Sequence, residues 1–431
     1  MREKFVMKAK WWLPENNGKQ EVYGELQYEP NGKLVAILEE SLFGTKNIHE
    51  SDHNVPLPLV YGMDKDMQCI SLVNVKAWEV GRTGWVTMEL YPDYVLIGKR
   101  GHFAVENMGV MNFNFCLNGF GSFFRGYENR LIPDHSTDYK LSFHYSQPKA
   151  IDIIDDQDKS IYFYFSHQYS GLNEIATGSF SFKERIYLNI SWKTAKHLGE
   201  FVKQLKFYAD FFRFFSQEIL SLDHVNLFVQ GEENDKPGFR FIYKQHSDYV
   251  GKMPSSFHAL LSYKEIEADL STILKNWIAQ REFVIGGLSL YMQTKYVRFD
   301  TPAQLFLNLV FATETFHKTF FANKPHLSDR FLELMAQNET ILRRYDLNKE
   351  EFAEKVNKQR NYLAHNHSVE DHSVISIDDY KPINTFLQMI FELSFLRQIG
   401  VSEELLEKMA KRNDDYETVA NWRGTWLQKR N

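Results

Sequence analysis

Apolar and polar positions alternate along the first half of the chain. In "EVYGELQYEP", "KLVAILEES", "DMQCISLVNVKAW", "GWVTMELYPDYVLIG", "MGVMNFNFCLNGF", "YKLSFHYSQ", "SIYFYFSHQYS" and "SFSFKERIYLNISW", aromatic and β-branched residues recur at every second position or in short runs. Gly, Asn and Asp separate the segments. A period of two is that of a strand with one buried face. Segments of this kind, spread over roughly 190 residues, predict sandwich-like or barrel-like sheet packing.

The period changes at "TAKHLGEFVKQLKFYADFFRFFSQEIL". There Leu198, Phe201, Val202, Leu205, Tyr208, Phe212 and Phe215 recur at helical spacings. A hairpin is predicted next, "HVNLFVQ" and "FRFIYKQ" joined by the polar turn "GEENDKPG". From about Ser262 the pattern is helical nearly to the end. "KEIEADLSTILKNWIAQREF" reads as one helix. "TPAQLFLNLVFATETFHKTFF" reads as another, with Thr301 as N-cap, Pro302 at the first position and Gln304 closing a capping box. "SDRFLELMAQNETILRR", "KEEFAEKVNKQRNYLAH", "YKPINTFLQMIFELSFLRQIG" and "SEELLEKMAKR" complete a bundle. The expected fold class is α+β. It comprises a β-rich N-terminal module over residues 1–190, an αβ connector of helix and hairpin over 191–255, and an all-α bundle over 256–431.

Composition narrows the class of partner. A chain of 431 residues can hold two or three domains with real cores. Its 15% aromatic content favours extensive packing and argues against disorder. A formal charge of -6 gives no general attraction for nucleic acid, so any polyanion site must be a local patch. The two cysteines, Cys69 and Cys116, do not make a disulfide scaffold and suit a reducing cytoplasm. The N-terminus lacks the apolar core of a signal peptide, and no apolar run approaches the ~18 residues of a membrane span. A cytoplasmic protein is expected.

Several chemistries find no support. "GRTG" and "GFGSFFRG" fit no phosphate-loop template and read as turns. There is no G-x-S-x-G elbow and no paired C-x-x-C. The cluster "HNHSVEDH", with His365, His367, Glu370, Asp371 and His372, offers metal-ligating side chains. Its spacing matches no standard zinc template, and a solvated loop after a helix C-terminus accounts for it. No cofactor or metal is expected.

One stretch departs from its own pattern. Asn348 and Glu351 have capping-box spacing, so a helix begins near Lys349. Phe352, Ala353, Val356, Leu363 and Ala364 fall within one arc of about 120°, and Arg360 projects into its middle. Asn361 and His365 share a neighbouring face. An isolated buried charge costs several kcal/mol, so Arg360 is either paired or held at an interface for an anion. Pairing with Glu314, with His365 capping a carbonyl, is the structural alternative.

"RNYLAH" within a helical bundle resembles the signature of HEPN domains, in which an Arg, a polar residue and a short spacer precede a His. "FATETFHKTFF" resembles the acidic-x-x-His helix that precedes that motif in one HEPN branch. With the β-rich first half, the aromatic connector helix and "INTFLQMIFELSFLRQIGVSEE", the whole chain resembles ApeA-type anti-phage proteins. The resemblance implies a metal-independent endoribonuclease that uses the RNA's own 2′-hydroxyl as nucleophile. It implies Arg360, Asn361 and His365 as catalytic residues, with Glu314 and His317 holding Arg360 or assisting proton transfer. It further implies a homodimer through the HEPN bundle, RNA as partner with tRNA among the expected targets, and a phage-derived trigger, with the β module sensing it, gating the active site or helping to bind RNA. Restraint of the resting enzyme by that module is expected, so a chain beginning near Tyr263 should be more toxic than the whole. A non-catalytic adaptor that binds nucleic acid or protein is the alternative reading.

Overall fold

The fold begins with a strand that the sequence reading passed over. The computed structural model describes residues 4–16, 18–29, 32–43, 55–82, 85–99, 101–104, 109–118, 120–124, 131–135, 141–145, 147–169, 182–217, 220–230, 238–243, 259–297, 299–321, 326–345, 347–365 and 375–420. Strand β1 (Phe5–Trp12) is followed by β2 (Val22–Tyr28), β3 (Leu34–Leu38), β4 (Val55–Asp64), β5 (Cys69–Arg82), β6 (Trp85–Gly98) and β7 (Val110–Leu117). Next come the short helix α1 (Phe120–Phe123) and strands β8 (Leu131–His135), β9 (Leu141–Tyr145), β10 (Ile151–Asp155), β11 (Lys159–Tyr169) and β12 (Phe182–Lys196). Helix α2 (Leu198–Ser216) precedes β13 (Leu222–Val229) and β14 (Phe239–Tyr243).

The remaining elements are α3 (Tyr263–Ile266), α4 (Leu270–Ala279), α5 (Arg281–Tyr296), α6 (Pro302–Phe320), α7 (Leu327–Gln337), α8 (Glu339–Leu342), α9 (Lys349–His365), α10 (Tyr380–Gln398), α11 (Glu403–Arg412) and α12 (Asp414–Ala420). The α+β class is therefore correct, and the chain divides into two compact units.

In the first unit β1 to β6 close a six-stranded barrel in the order β6-β3-β2-β1-β4-β5, with β5 returning to β6. Strand β6 is long enough to serve two neighbours on one side. Met88–Leu90 pair with β3, and Tyr94–Gly98 pair with β14. The sheet then continues through β14-β13-β7-β12-β11-β10. Inside the barrel Trp11, Leu26, Ala36, Leu72, Met88 and Leu90 are fully buried.

Along β11 the predicted alternation is literal, with Ile161, Phe163 and Phe165 buried and Tyr162 and Tyr164 part-exposed. The hairpin β13–β14, expected as part of a connector, is instead built into this sheet between β7 and β6. Leu222, Val225 and Leu227 are buried there, and a face that apolar needs more cover than a free hairpin gives. Of "GRTG", Gly81 and Arg82 end β5, with Arg82 opposite Trp85, and Thr83 and Gly84 lie outside the described residues; "GFGSFFRG" contains the helical turn α1 rather than a plain turn.

The second unit takes residues 122–127, 207–219 and 253–431. The C-terminal half of α2 therefore belongs with the helices. Phe211 and Phe214 are buried against Trp277, and Phe214 also meets Tyr291 and Phe395. Each fully buried phenyl contributes about 1.5–3 kcal/mol, so this aromatic stack is a principal core of the unit. The single helix expected over Lys264–Phe283 is broken into α3, α4 and α5. The interruption at Gln280 has non-helical backbone (φ −91°, ψ 22°). The helix expected from Ser328 onward also splits, at Asn338, whose buried amide donates to Leu334 O and Ser394 Oγ at 2.8 and 2.9 Å. Helix α6 starts where expected, with the Thr301 half of the expected capping box formed. Thr301 Oγ1 accepts from Gln304 N at 3.3 Å, and Pro302 is the first helical residue.

Candidate active site

Helix α9 carries the motif. Asn348 caps it as predicted, its Oδ1 accepting from Glu351 N at 3.2 Å. Phe352, Ala353 and Val356 are fully buried, but the buried face then continues through Gln359 rather than through Arg360. Leu363 is half-buried and Ala364 exposed, so the expected apolar arc holds for its first half only. A glutamine can occupy the core position because its amide is satisfied. Nε2 donates to Tyr380 Oη at 3.0 Å, and Oε1 accepts from Ile375 N at 3.2 Å. The final turns of α9 thus emerge from the core and bring Arg360 to its border.

Arg360 keeps 24% of its side chain exposed. Nη1 donates to Asn361 Oδ1 at 3.0 Å, and the guanidinium lies 5.6 Å from the centre of the Phe311 ring on α6. Its Nη2 is 3.7 Å from Glu314 Oε2. Charge-assisted bonds run at about 2.7–2.9 Å, so this is a loose contact. The tight partners of Glu314 are on its other oxygen, where Arg330 Nη1 and Lys318 Nζ meet Oε1 at 2.6 and 2.8 Å. Burial pushes the Glu314 carboxyl up, but the hydrogen bonds and charges of Lys318 and Arg330 outweigh it and hold the pKa below the ordinary 4.5. The carboxylate stays ionised and holds three cations within reach of it.

His317 goes elsewhere. It is fully buried, its Nε2 lies 2.9 Å from Glu333 Oε2 on α7, and its ring packs on Phe321 at 5.2 Å. Of the residues singled out in the sequence, Arg360, Asn361 and Glu314 are brought together. His317 braces α6 against α7 instead. His365 is the last residue of α9, five positions and roughly 7.5 Å along the axis from Arg360. His367, Glu370, Asp371 and His372 lie outside the described residues.

Sequence reasoning missed Lys318, Arg330 and Phe311. Lys318 was legible as the i+4 partner of Glu314. Arg330 carried the same signal as Arg360, a charge among the buried Leu327, Phe331 and Leu334 of α7.

Comparison with known proteins bears on both units. A family model described as ApeA N-terminal domain 1 matches residues 7–277, more than half of the chain, and one described as Apea-like HEPN matches residues 307–405. No curated protein and no solved structure matches the chain. No described helix is long and apolar enough to cross a membrane. The chain belongs to the ApeA family, and the helices carrying Glu314 and Arg360 fall within its Apea-like HEPN domain.

Proposed function

We propose that this protein is an anti-phage endoribonuclease that cuts RNA, tRNA included, by metal-independent HEPN chemistry, acting as a homodimer through its helical domain. The observation that carries this reading is the placement of Arg360. It is part-exposed, oriented by Asn361 on one side and the Phe311 ring on another, and only loosely held by a carboxylate whose short bonds go to other cations.

An arginine so held can fork two N–H donors onto a phosphodiester. In the proposed reaction a general base removes the proton of the RNA 2′-hydroxyl, and O2′ attacks the adjacent phosphorus. Arg360 stabilises the doubly charged phosphorane. The P–O5′ bond then breaks as a general acid protonates O5′, leaving a 2′,3′-cyclic phosphate and a 5′-hydroxyl. Histidine, with an ordinary pKa near 6.5, suits both proton transfers. A two-fold pair of bundles supplies two copies of His365, one for each transfer. Glu314 acts as a positioning residue, and the β-rich part of the chain senses the trigger and restrains the resting enzyme.

The test is cleavage of purified cellular RNA, in EDTA, by the native chain and by His365→Ala and Arg360→Ala. The native chain yields new 2′,3′-cyclic phosphate ends, and each variant loses about 100- to 10,000-fold in rate while keeping its melting temperature. Undiminished cutting by both variants rejects the residue roles. RNA bound but uncut by the native chain means an adaptor.

A further inference from the structure

Helix α6 carries Phe306, Phe311, Phe316 and Phe320, and three of these rings serve the core of the helical unit. Phe306 meets Tyr380, Phe316 meets Phe391 and Phe395, and Phe320 meets Phe283. Phe311 does not. At about 100° per residue, it points roughly 180° away from the middle of the buried face that runs from Phe306 to His317. Its ring is part-exposed and has no aromatic partner among the described residues. The group over it is the Arg360 guanidinium, 5.6 Å from the ring centre. A cation over an exposed ring returns less than full burial does, so packing alone does not account for a phenylalanine at this position.

The place of the ring narrows what can meet it. A phosphate taken up by Arg360 brings two bases with it, each joined to that phosphate through a single ribose. One nucleotide is long enough to cover the 5.6 Å between guanidinium and ring. In a duplex those bases are paired and stacked on their neighbours. In a loop they splay out and stack on aromatic side chains. Charge agrees with a polyanion. Lys318, Arg330 and Arg360 gather round Glu314, while Glu333 on α7 turns to His317. Among these side chains three cations stand against two carboxylates.

We propose that Phe311 is the base-stacking residue of the RNA site. It receives an unpaired nucleobase next to the phosphate that Arg360 binds, and it confines the site to single-stranded segments. The inference rests on the proposed RNA site, but on binding rather than cutting, so the two can fail separately.

The test is the affinity of the full-length chain for two labelled probes, read by fluorescence anisotropy. One is 2′-O-methyl hexaadenylate, whose blocked O2′ prevents cleavage. The other is the same sugar–phosphate chain with every base removed. One base–aromatic stack is worth about 5- to 150-fold in affinity. Phe311→Leu should therefore lose at least fivefold on hexaadenylate and bind the abasic chain as the native protein does. Phe311→Trp should keep the native affinity for both. Phe311→Met replaces Phe311→Leu if the latter lowers the melting temperature. Unchanged hexaadenylate affinity in Phe311→Leu overturns the proposal. So does an equal loss on both probes, which means that the ring only props Arg360, or failure of the native chain to bind either probe. Dissociation of the native assembly by Phe311→Leu, seen in sedimentation with base preference intact, gives the ring to a second copy of the chain and overturns it too. Native protein that binds hexaadenylate but leaves natural RNA uncut rejects the nuclease, and the comparison of probes still decides the role of Phe311.

Discussion

Two carboxylates of the helical unit are each gripped by several partners, yet they end on opposite sides of the ordinary acid range. Glu314 lies at the border of the core among Lys318, Arg330 and Arg360, and its pKa is held down. Glu392, on α10, is fully buried. The hydroxyls of Tyr291 and Tyr416 donate to its two oxygens, and Lys295 Nζ is 3.8 Å away. There burial outweighs the cation and the hydroxyl donors, and the pKa is raised. The same side chain thus serves two ends. Where cations crowd a carboxylate near solvent, it stays charged and organises them. Where neutral donors enclose it, it becomes part of the packing. The proposed positioning role belongs to the first kind.

Substitutions can break that contrast. The largest effect is expected on catalysis alone, where Arg360→Ala costs about 100- to 10,000-fold in RNA cleavage with little change in urea stability. Next, Glu392→Ala leaves Lys295 and two tyrosine hydroxyls unmatched in the core. It should cost about 3–5 kcal/mol in urea unfolding, while cleavage by the folded fraction persists. A cleavage defect in Glu392→Ala beyond the loss of folded protein would erase the distinction.

Glu314→Gln is expected to fall between the two. Stability drops by less than the about 3–5 kcal/mol of a fully broken buried pair, because the amide oxygen still accepts from Arg330, but cleavage drops roughly tenfold as Arg360 loses the charge beside it. Glu314→Asp should restore part of the rate. A rate equal to the native one would reduce Glu314 to a structural ion pair.

The smallest expected effect is on pH dependence, and the two acids differ in sign. Glu314 has a depressed pKa in the fold. Its stabilising contribution is present above its ordinary 4.5 and is lost as pH falls below that value through the folded pKa. Glu392 has a raised pKa, so its contribution is complete below 4.5 and fades as pH rises from there through the folded value. Stability profiles of Glu314→Gln and Glu392→Gln against the native chain should therefore diverge in opposite directions around pH 4.5. Parallel profiles would contradict the assignment.

What the sequence disclosed follows from the same physics. Strands β2, β11 and β12 were legible because alternation reports one buried face, and β3 because a short apolar run between polar residues reads as a strand buried on both faces. Strand β4 was not, because Pro56 and Pro58 argue against a strand until one sees that they lie where β4 has no second strand partner among the described residues. The lysines of β1 likewise hid a strand whose opposite face holds Trp11.

Arg360 and Asn361 stood out because a charge interrupted an apolar stripe, although the stripe itself bends away through Gln359. His317 did not keep the company expected of it. The i+3 spacing from Glu314 gives proximity along α6, but the direction of each side chain is set by α7, from which Arg330 and Glu333 draw the two residues apart. That choice is tertiary and leaves no trace in local spacing.

Helix α2 has a consequence for how this molecule can be taken apart. Its first turns are numbered with the barrel-bearing unit and its last with the helices, and the latter bring Phe211 and Phe214 to Trp277 and Phe395. A chain beginning near Tyr263 would lack residues 207–219 of the helical unit. That loss would remove the aromatic plug and open a hole where two phenyl rings had been. On the ribosome both rings wait about 65 residues for Trp277, and Phe214 about 180 for Phe395. The helical unit is therefore incomplete without residues 207–219, which precede the rest of it in the chain.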